Sequence, residues 1–311
     1  MNKRVICLMG PTATGKTELA MRIADQIPVE IISVDSAMIY REMNIGTAKP
    51  DAETLIRYPH RLIDICEPTE RYSTAEFRRD AIYEIERSFA AGKIPLLVGG
   101  TFLYFQSLLE GISPIPQVSS DTLKQLTERA EIEGSAVLHQ ALKEVDPDSF
   151  QRLNPNDTQR VIRALSVYLE TGKPLTYYWN LPKKPGIAYP FLKIALANSD
   201  EKRRNQQIAQ RYHKMIDAGL IEEVATLREH YPELNLDYPS MRAVGYRQIW
   251  NYLEGEMTLS EAVERAIIAT RQYAKRQRTW LRSEENLSTF EVNTPHYAEE
   301  ALHQIQQFIE S

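Results

Sequence analysis

The sequence predicts an α/β protein: a P-loop-containing parallel sheet core with helices on both faces, plus an inserted small all-helical domain. Three observations predict it. A phosphate-loop pattern between Gly10 and Thr17 joins an apolar run to an amphipathic one. Further near-continuous apolar runs alternate with helical patterns, as strands buried on both faces do. That alternation stops near Gly111 and resumes at Phe191.

Taken in order, Val5–Met9 is the first strand. Gly10, Gly15, Lys16 and Thr17 then fit G-x-x-x-x-G-K-[ST], and Thr17–Ile27 reads as a helix. Such a loop turns backbone N–H groups toward an anion, the helix N-terminus adds positive potential, and the lysine adds a full charge. Its usual tenant is ATP, and its threonine is the natural ligand for magnesium. "EIISV" is a second strand and ends in Asp35-Ser36. Ser73 and Glu76 make a capping box for a helix to about Ala91, with Gly92 at its C-terminus. "IPLLVGGT" is a third strand, ending in Gly99-Gly100-Thr101 and followed by helix over Phe102–Leu109.

Pro, Gly and Ser break the pattern over "GISPIPQVSS", and Asp121–Trp179 reads as short helices only. "LPKKPGIAYP" is a second break, Phe191–Ala197 one more core strand, and the remainder mostly helical, with no readable signal beyond about Ser283. The expected division is a core of residues 1–117 and 190–311 and an inserted helical domain of residues 118–189.

The length of 311 residues suits about two domains. No apolar run is long enough for a membrane span, and "MNKRVICLMG" enters its first strand at once, leaving no room for a signal peptide; a cytoplasmic protein is expected. Cys7 and Cys66 stand apart and the histidines show no metal-ligand spacing, so neither zinc nor a disulfide is expected. A net charge of −5 gives no overall attraction to nucleic acid, yet Arg265–Arg282 holds six basic residues and no acidic one.

In open parallel sheets, ligands bind beyond the carboxyl ends of the strands. If their strands are neighbours, the phosphate loop, Asp35-Ser36 and Thr101 converge on one crevice. Asp35 reads as a base, a helix N-cap or a magnesium-holding acid; Thr101 reads as a ligand-facing hydroxyl or an N-cap. Arg204 and Arg211, seven residues apart on one helical face, are either a phosphate clamp or a solvated surface. Arg160 and Arg163 share a face of another helix. Arg271, Lys275, Arg278 and Arg282 recur at spacings of four, three and four and form one stripe, with Ala266, Ala269, Tyr273 and Trp280 on a different side. The stripe suits an RNA backbone or, equally, a salt-bridged surface.

The segments "GPTATGKT", "SVDSAMIY", "IGTAKP", "PHRLIDICEP", "YSTAEFRRDA", "LLVGGTFLYFQSLLEG", "NPNDTQRVIRAL", "MRAVGYRQIW" and "ATRQYAKRQRTWLR" occur in the order found in tRNA dimethylallyltransferases. The chain resembles that family from about Val5 to Arg282; Thr14, where serine is common, is a small departure. The resemblance implies transfer of a five-carbon prenyl group from dimethylallyl diphosphate to N6 of the tRNA adenosine just 3′ of the anticodon, position 37. It implies that Gly10, Thr12, Ala13, Thr14, Gly15, Lys16 and Thr17 hold the diphosphate, with Mg2+ at Thr17, and that Asp35, Thr101 and Arg211 are catalytic.

By the same resemblance, tRNA contacts fall on Asp35, Ser36, Ala37, Met38 and Thr101, and on Gln159, Arg160, Val161, Ile162 and Arg163. They also fall on Arg242, Gly245, Tyr246 and Arg247, and on Lys275, Arg276, Arg278 and Arg282. The helical insert would clamp the anticodon stem-loop. Nothing in the sequence asks for an obligate dimer, so a monomer is expected. The alternatives are a P-loop small-molecule kinase, an adenylate prenyltransferase and a non-catalytic RNA-binding protein.

Overall fold

The computed structural model describes residues 3–311. It divides into two compact units, one running to Leu108 and resuming at Ala188–Ser311, the other Leu109–Ile187. Among the described residues, no helix is long and apolar enough to cross a membrane.

The first unit opens with β1 (Val5–Met9), α1 (Lys16–Ala24), β2 (Val29–Val34), α2 (Ala52–Arg57), β3 (His60–Arg61), α3 (Thr74–Ala90), β4 (Ile94–Gly99) and α4 (Phe102–Leu109). The helical unit contains α5 (Ser120–Glu133), α6 (Ser135–Val145), α7 (Pro147–Arg152), α8 (Thr158–Thr171) and α9 (Leu175–Trp179). The chain then returns through β5 (Phe191–Ala197), α10 (Glu201–Asp217), α11 (Leu220–His230), a 3-10 turn, α12 (Tyr246–Leu253), α13 (Leu259–Leu281), β6 (Leu287–Glu291) and α14 (Tyr297–Glu310).

Among the described residues, six strands form one sheet in the order β3-β2-β4-β1-β5-β6, and every pairing is parallel. β1, β2 and β4 are buried at every position, which is why they read as unbroken apolar runs rather than alternating ones. Ile6, Leu8, Ile31, Leu96, Val98, Ile194 and Leu196 pack with Leu19 and Ile23 of α1 and Ala301, Leu302 and Ile305 of α14. The chain moves one way across the sheet from β1 to β2 and back from β3 to β4. Right-handed crossovers therefore put α1 and α3 on opposite faces.

Register decides where the site lies. Met9 pairs with Gly99, and Val34 pairs with Gly99 from the other side, so the phosphate loop, Asp35 and Gly100 leave the sheet at one level. Connections also diverge between β1 and β4, leftward to β2 and rightward to β5, which makes this the topological switch point. The strands expected to be neighbours are neighbours.

The expected capping box is present: Ser73 Oγ accepts from the Glu76 N–H, Glu76 accepts from the Ser73 N–H, and Gly92 has a φ of 69°. Past Ser283 one element departs from the expected helical remainder, the strand β6, and one agrees with it, α14. β6 extends the sheet beside β5, and α14 covers one face with Ala298, Ala301, Leu302 and Ile305, spaced as one helical face.

In the helical unit, Leu126, Leu138, Leu142, Val161, Ala164, Leu165 and Val167 form the core. Asp146, fully buried, accepts from the Ser149 and Thr176 hydroxyls at 2.8 and 2.7 Å and from both backbone N–H groups, and so joins α7 to α9. The unit begins at Leu109, ahead of the sequence-based boundary, because Ile112 pairs antiparallel with Lys184 and Ile115 and Val118 pack on its core.

Candidate active site

The phosphate loop turns tightly: Ala13 and Gly15 both have left-handed backbone, with φ of 63° and 79°. For Gly15, at the N-cap of α1, that conformation carries no Cβ penalty. The Thr14 hydroxyl donates to the Pro11 carbonyl at 2.8 Å, and Lys16 Nζ donates to the same carbonyl at 2.7 Å. Burial drives the Lys16 ammonium down to about 8; Asp35 works against that shift and Arg211 adds to it. Those three charges are therefore near enough to act on one another. Thr17, half-buried in the first turn of α1, has no side-chain hydrogen bond among the described residues.

Asp35 lies one residue beyond β2. Its Oδ1 accepts from the Ala37 and Met38 N–H groups at 2.8 and 3.2 Å, an Asx-type turn that leaves Oδ2 uncommitted among the described residues. The Thr101 side chain does not cap α4; its Oγ1 accepts from the Ser36 N–H at 3.1 Å, and only its backbone carbonyl receives the first helical N–H groups. On α10 the two arginines part company. Arg211 is half-buried beside Asp35, and desolvation lowers its pKa. Arg204 is buried and donates to the Asn198 carbonyl at 2.6 Å, so it braces the chain after β5 instead of joining a phosphate clamp.

The sequence reading of α13 missed its inner face. Tyr273 lies against Thr101 and Gln277, and burial, reinforced by Asp35, pushes its phenol up to about 12. Gln277 bonds Thr12 and Gly100, and Trp280 stacks on Phe102 with centroids 4.3 Å apart. Spacing alone assigns Tyr273 and Trp280 to an apolar stripe, because it gives a face without saying what lies opposite it. A second missed residue is Glu223, which accepts from the Asn44, Ile45 and Gly46 N–H groups and from the Tyr246 hydroxyl.

The outer face of α13 carries Lys275, Arg276, Arg278 and Arg282, none of them in an ion pair among the described residues. Lys275, Arg276 and Arg282 are exposed, while burial lowers the pKa of the half-buried Arg278. The salt-bridged reading of this stripe is therefore disfavoured. Arg160, by contrast, pairs with Asp157 at 3.1 Å, and Arg163 donates to the Pro116 carbonyl. Arg242 and Arg247 are exposed and close enough to repel one another.

Among the expected tRNA contacts, the Val161 side chain is fully buried in the helical unit's core, and Tyr246 is fully buried with its hydroxyl on Glu223. Gly245 is buried as well, as the N-cap of α12. Ser36, Ala37, Met38, Gln159 and Ile162 keep some exposure.

A family model described as IPP transferase matches residues 38–284, and one described as isopentenyl transferase matches residues 3–63. A Hahella chejuensis protein named tRNA dimethylallyltransferase 2 is 46% identical, across 98% of this chain and 96% of its own length. The crystal structure of a Staphylococcus epidermidis tRNA delta(2)-isopentenylpyrophosphate transferase matches with a TM-score of 0.70 at 34% identity, covering 99% of each chain. A eukaryotic dimethylallyltransferase acting on tRNA gives a TM-score of 0.82 at 25% identity, covering 99% of this chain and 80% of its own.

Proposed function

The chain belongs to the IPP transferase family, and from that premise we propose that it transfers a dimethylallyl group from dimethylallyl diphosphate to N6 of tRNA adenosine 37, releasing diphosphate. The observation that carries this reading is the register that brings the phosphate loop and Asp35 out of the sheet at one level, at its switch point, with Arg211 near enough to act on both charges.

An exocyclic adenine amine is a weak nucleophile, because its lone pair is delocalised into the ring. As the N6–C1 bond forms and the C1–O bond to diphosphate breaks, the amine sheds a proton and the leaving group takes the bonding pair. Asp35 accepts that proton through the oxygen its Asx turn leaves free. Lys16, Arg211 and the loop N–H groups favour the charge gathering on diphosphate. Lys16 is suited to this, since a charged diphosphate returns the ammonium stabilisation that burial removed.

Magnesium fits the donor set modestly. The Thr17 hydroxyl is unbonded among the described residues, so it would be free to serve as an oxygen ligand to magnesium beside the phosphate loop. When bound there, it would neutralise part of the leaving group's charge.

The unpaired basic side chains on α13 serve a polynucleotide acceptor, and neither a small-molecule kinase nor an AMP prenyltransferase has a use for them. A flipped base in a single-stranded loop costs less to extrude than one in a duplex. The deciding experiment offers labelled dimethylallyl diphosphate or labelled ATP to the protein with unmodified tRNA and magnesium. Label entering tRNA from the prenyl donor, and almost none entering free AMP, is the expected result. Label passing from ATP to a small acceptor would replace this reading with the kinase.

A further inference from the structure

Gln277 lies in the middle of the basic segment of α13, yet it points the other way. It is 4% exposed. Its Oε1 accepts from the Thr12 N–H at 3.1 Å, and its Nε2 donates to the Gly100 carbonyl at 2.8 Å. A planar amide offers an acceptor and a donor side by side, and here each is used on a different strand end. The fit is close: a Cβ on Gly100 would sit 2.5 Å from Gln277 Nε2 and 3.0 Å from the Gly10 carbonyl oxygen. One turn earlier on the same face, Tyr273 lies beside Thr101 and Gln277. Around the helix, Lys275, Arg276 and Arg278 carry no ion pair among the described residues.

The loop between β1 and α1 has two limbs. The far limb is fixed by the start of α1 at Lys16. The near limb, Pro11–Ala13, includes a left-handed alanine, and a side-chain bond from outside the loop reaches its backbone at Thr12 N–H. We propose that Gln277 is a positioning residue: it latches α13 across the near limb of the phosphate loop and the end of β4. The loop takes its diphosphate-binding shape when α13 is seated, and RNA held on the outer face of α13 thereby tightens the loop on its inner face. The proposal deepens the prenyl-transfer reading and rests on it for the identity of the RNA.

The test uses the full chain and compares wild type with Q277M and Q277E. Inorganic diphosphate with magnesium is titrated by calorimetry, alone and with an unmodified anticodon stem-loop RNA present. Wild type is expected to bind diphosphate several-fold more tightly with the RNA than without it. Q277M keeps side-chain length but has no amide. It should bind diphosphate about tenfold more weakly, lose the RNA effect, and show a kcat lower by about tenfold to a hundredfold. Its RNA affinity should stay within about twofold of wild type.

Q277E can accept from Thr12 but presents a second oxygen to the Gly100 carbonyl. It should be defective at neutral pH and recover as falling pH protonates the carboxyl and restores a donor. A merely structural glutamine would lower thermal stability in both variants, with kcat and diphosphate affinity within twofold of wild type, and that result overturns the proposal. So does a wild type whose diphosphate affinity ignores the RNA. If wild type binds diphosphate and RNA with this coupling yet transfers no prenyl group, the function reading fails while the latch stands.

Discussion

Thr101 Oγ1 accepts a hydrogen bond from the backbone N–H of Ser36 at 3.1 Å, so the residue leaving β4 holds the residue that follows Asp35. The Asp35 carboxylate is then braced from both sides, by its own Asx turn and by Thr101. Thr101→Val keeps the shape and removes the acceptor. It should lower kcat by about tenfold to a hundredfold, because a small misplacement of a reacting group is costly. Thr101→Ser keeps the oxygen and should stay within a few-fold of wild type. Loss in Thr101→Ser with activity kept in Thr101→Val would show that Thr101 acts through its methyl group instead.

Asp35→Asn separates the two jobs of that carboxylate. The amide oxygen can still accept from Ala37 and Met38, so the turn survives. The amide nitrogen cannot take a proton. Steady-state turnover should fall by about 10² to 10⁴, the range for losing a general base, while tRNA affinity measured by filter binding stays within about twofold. Retention of more than a tenth of wild-type turnover would remove Asp35 from the role of base.

Much of this site was legible in the sequence because the chemistry sits where strands end. Apolar runs that stop abruptly at Asp35 and at Gly99-Gly100-Thr101 mark carboxyl ends, and only the adjacency of β1, β2 and β4 remained to be seen. Spacing alone could not separate Arg211 from Arg204: they share a helical face, and what divides them is a backbone carbonyl at Asn198, which no side-chain pattern marks. Gln277 was hidden for a related reason. A polar residue among arginines reads as surface, and its inward direction depends on partners more than 170 positions away. The last strand escaped because β6, at the sheet edge, is only half-buried along its length and lacks a long apolar run.

Lys16 gives the active site a pH dependence of known sign. Its ammonium pKa is lowered to about 8 by burial, with Arg211 adding and Asp35 opposing. The charged form, present below that pH, is the one that binds an anion; as pH rises through about 8 the free protein loses it, and binding must then recover a proton. KM for dimethylallyl diphosphate should be level from pH 6.5 to 7.5, in round terms, and rise by about tenfold per pH unit beyond about 8.5. Lys16→Arg, charged throughout, should show a higher but level KM across the same span. A wild-type KM that stays flat to about pH 10 would mean that diphosphate does not depend on this ammonium.

The outer face of α13 should account for most of the salt dependence of tRNA binding. Lys275, Arg278 and Arg282 have no carboxylate partners among the described residues, so their charges are free to replace counterions along an RNA backbone. Arg160 is held by Asp157 and must give up that pair first. Changing all three α13 residues to glutamine should raise the dissociation constant for tRNA by about a hundredfold or more at low salt. It should also flatten the slope of log K against log salt by about 2, near 0.7 for each contact to a single-stranded phosphate. Arg160→Gln should alter the slope by well under one contact. The inner face keeps Tyr273, Gln277 and Trp280 in all these variants, so inorganic diphosphate binding without RNA should be unchanged. An unaltered salt slope in the triple variant would mean that tRNA is held elsewhere and that the stripe is only a solvated surface.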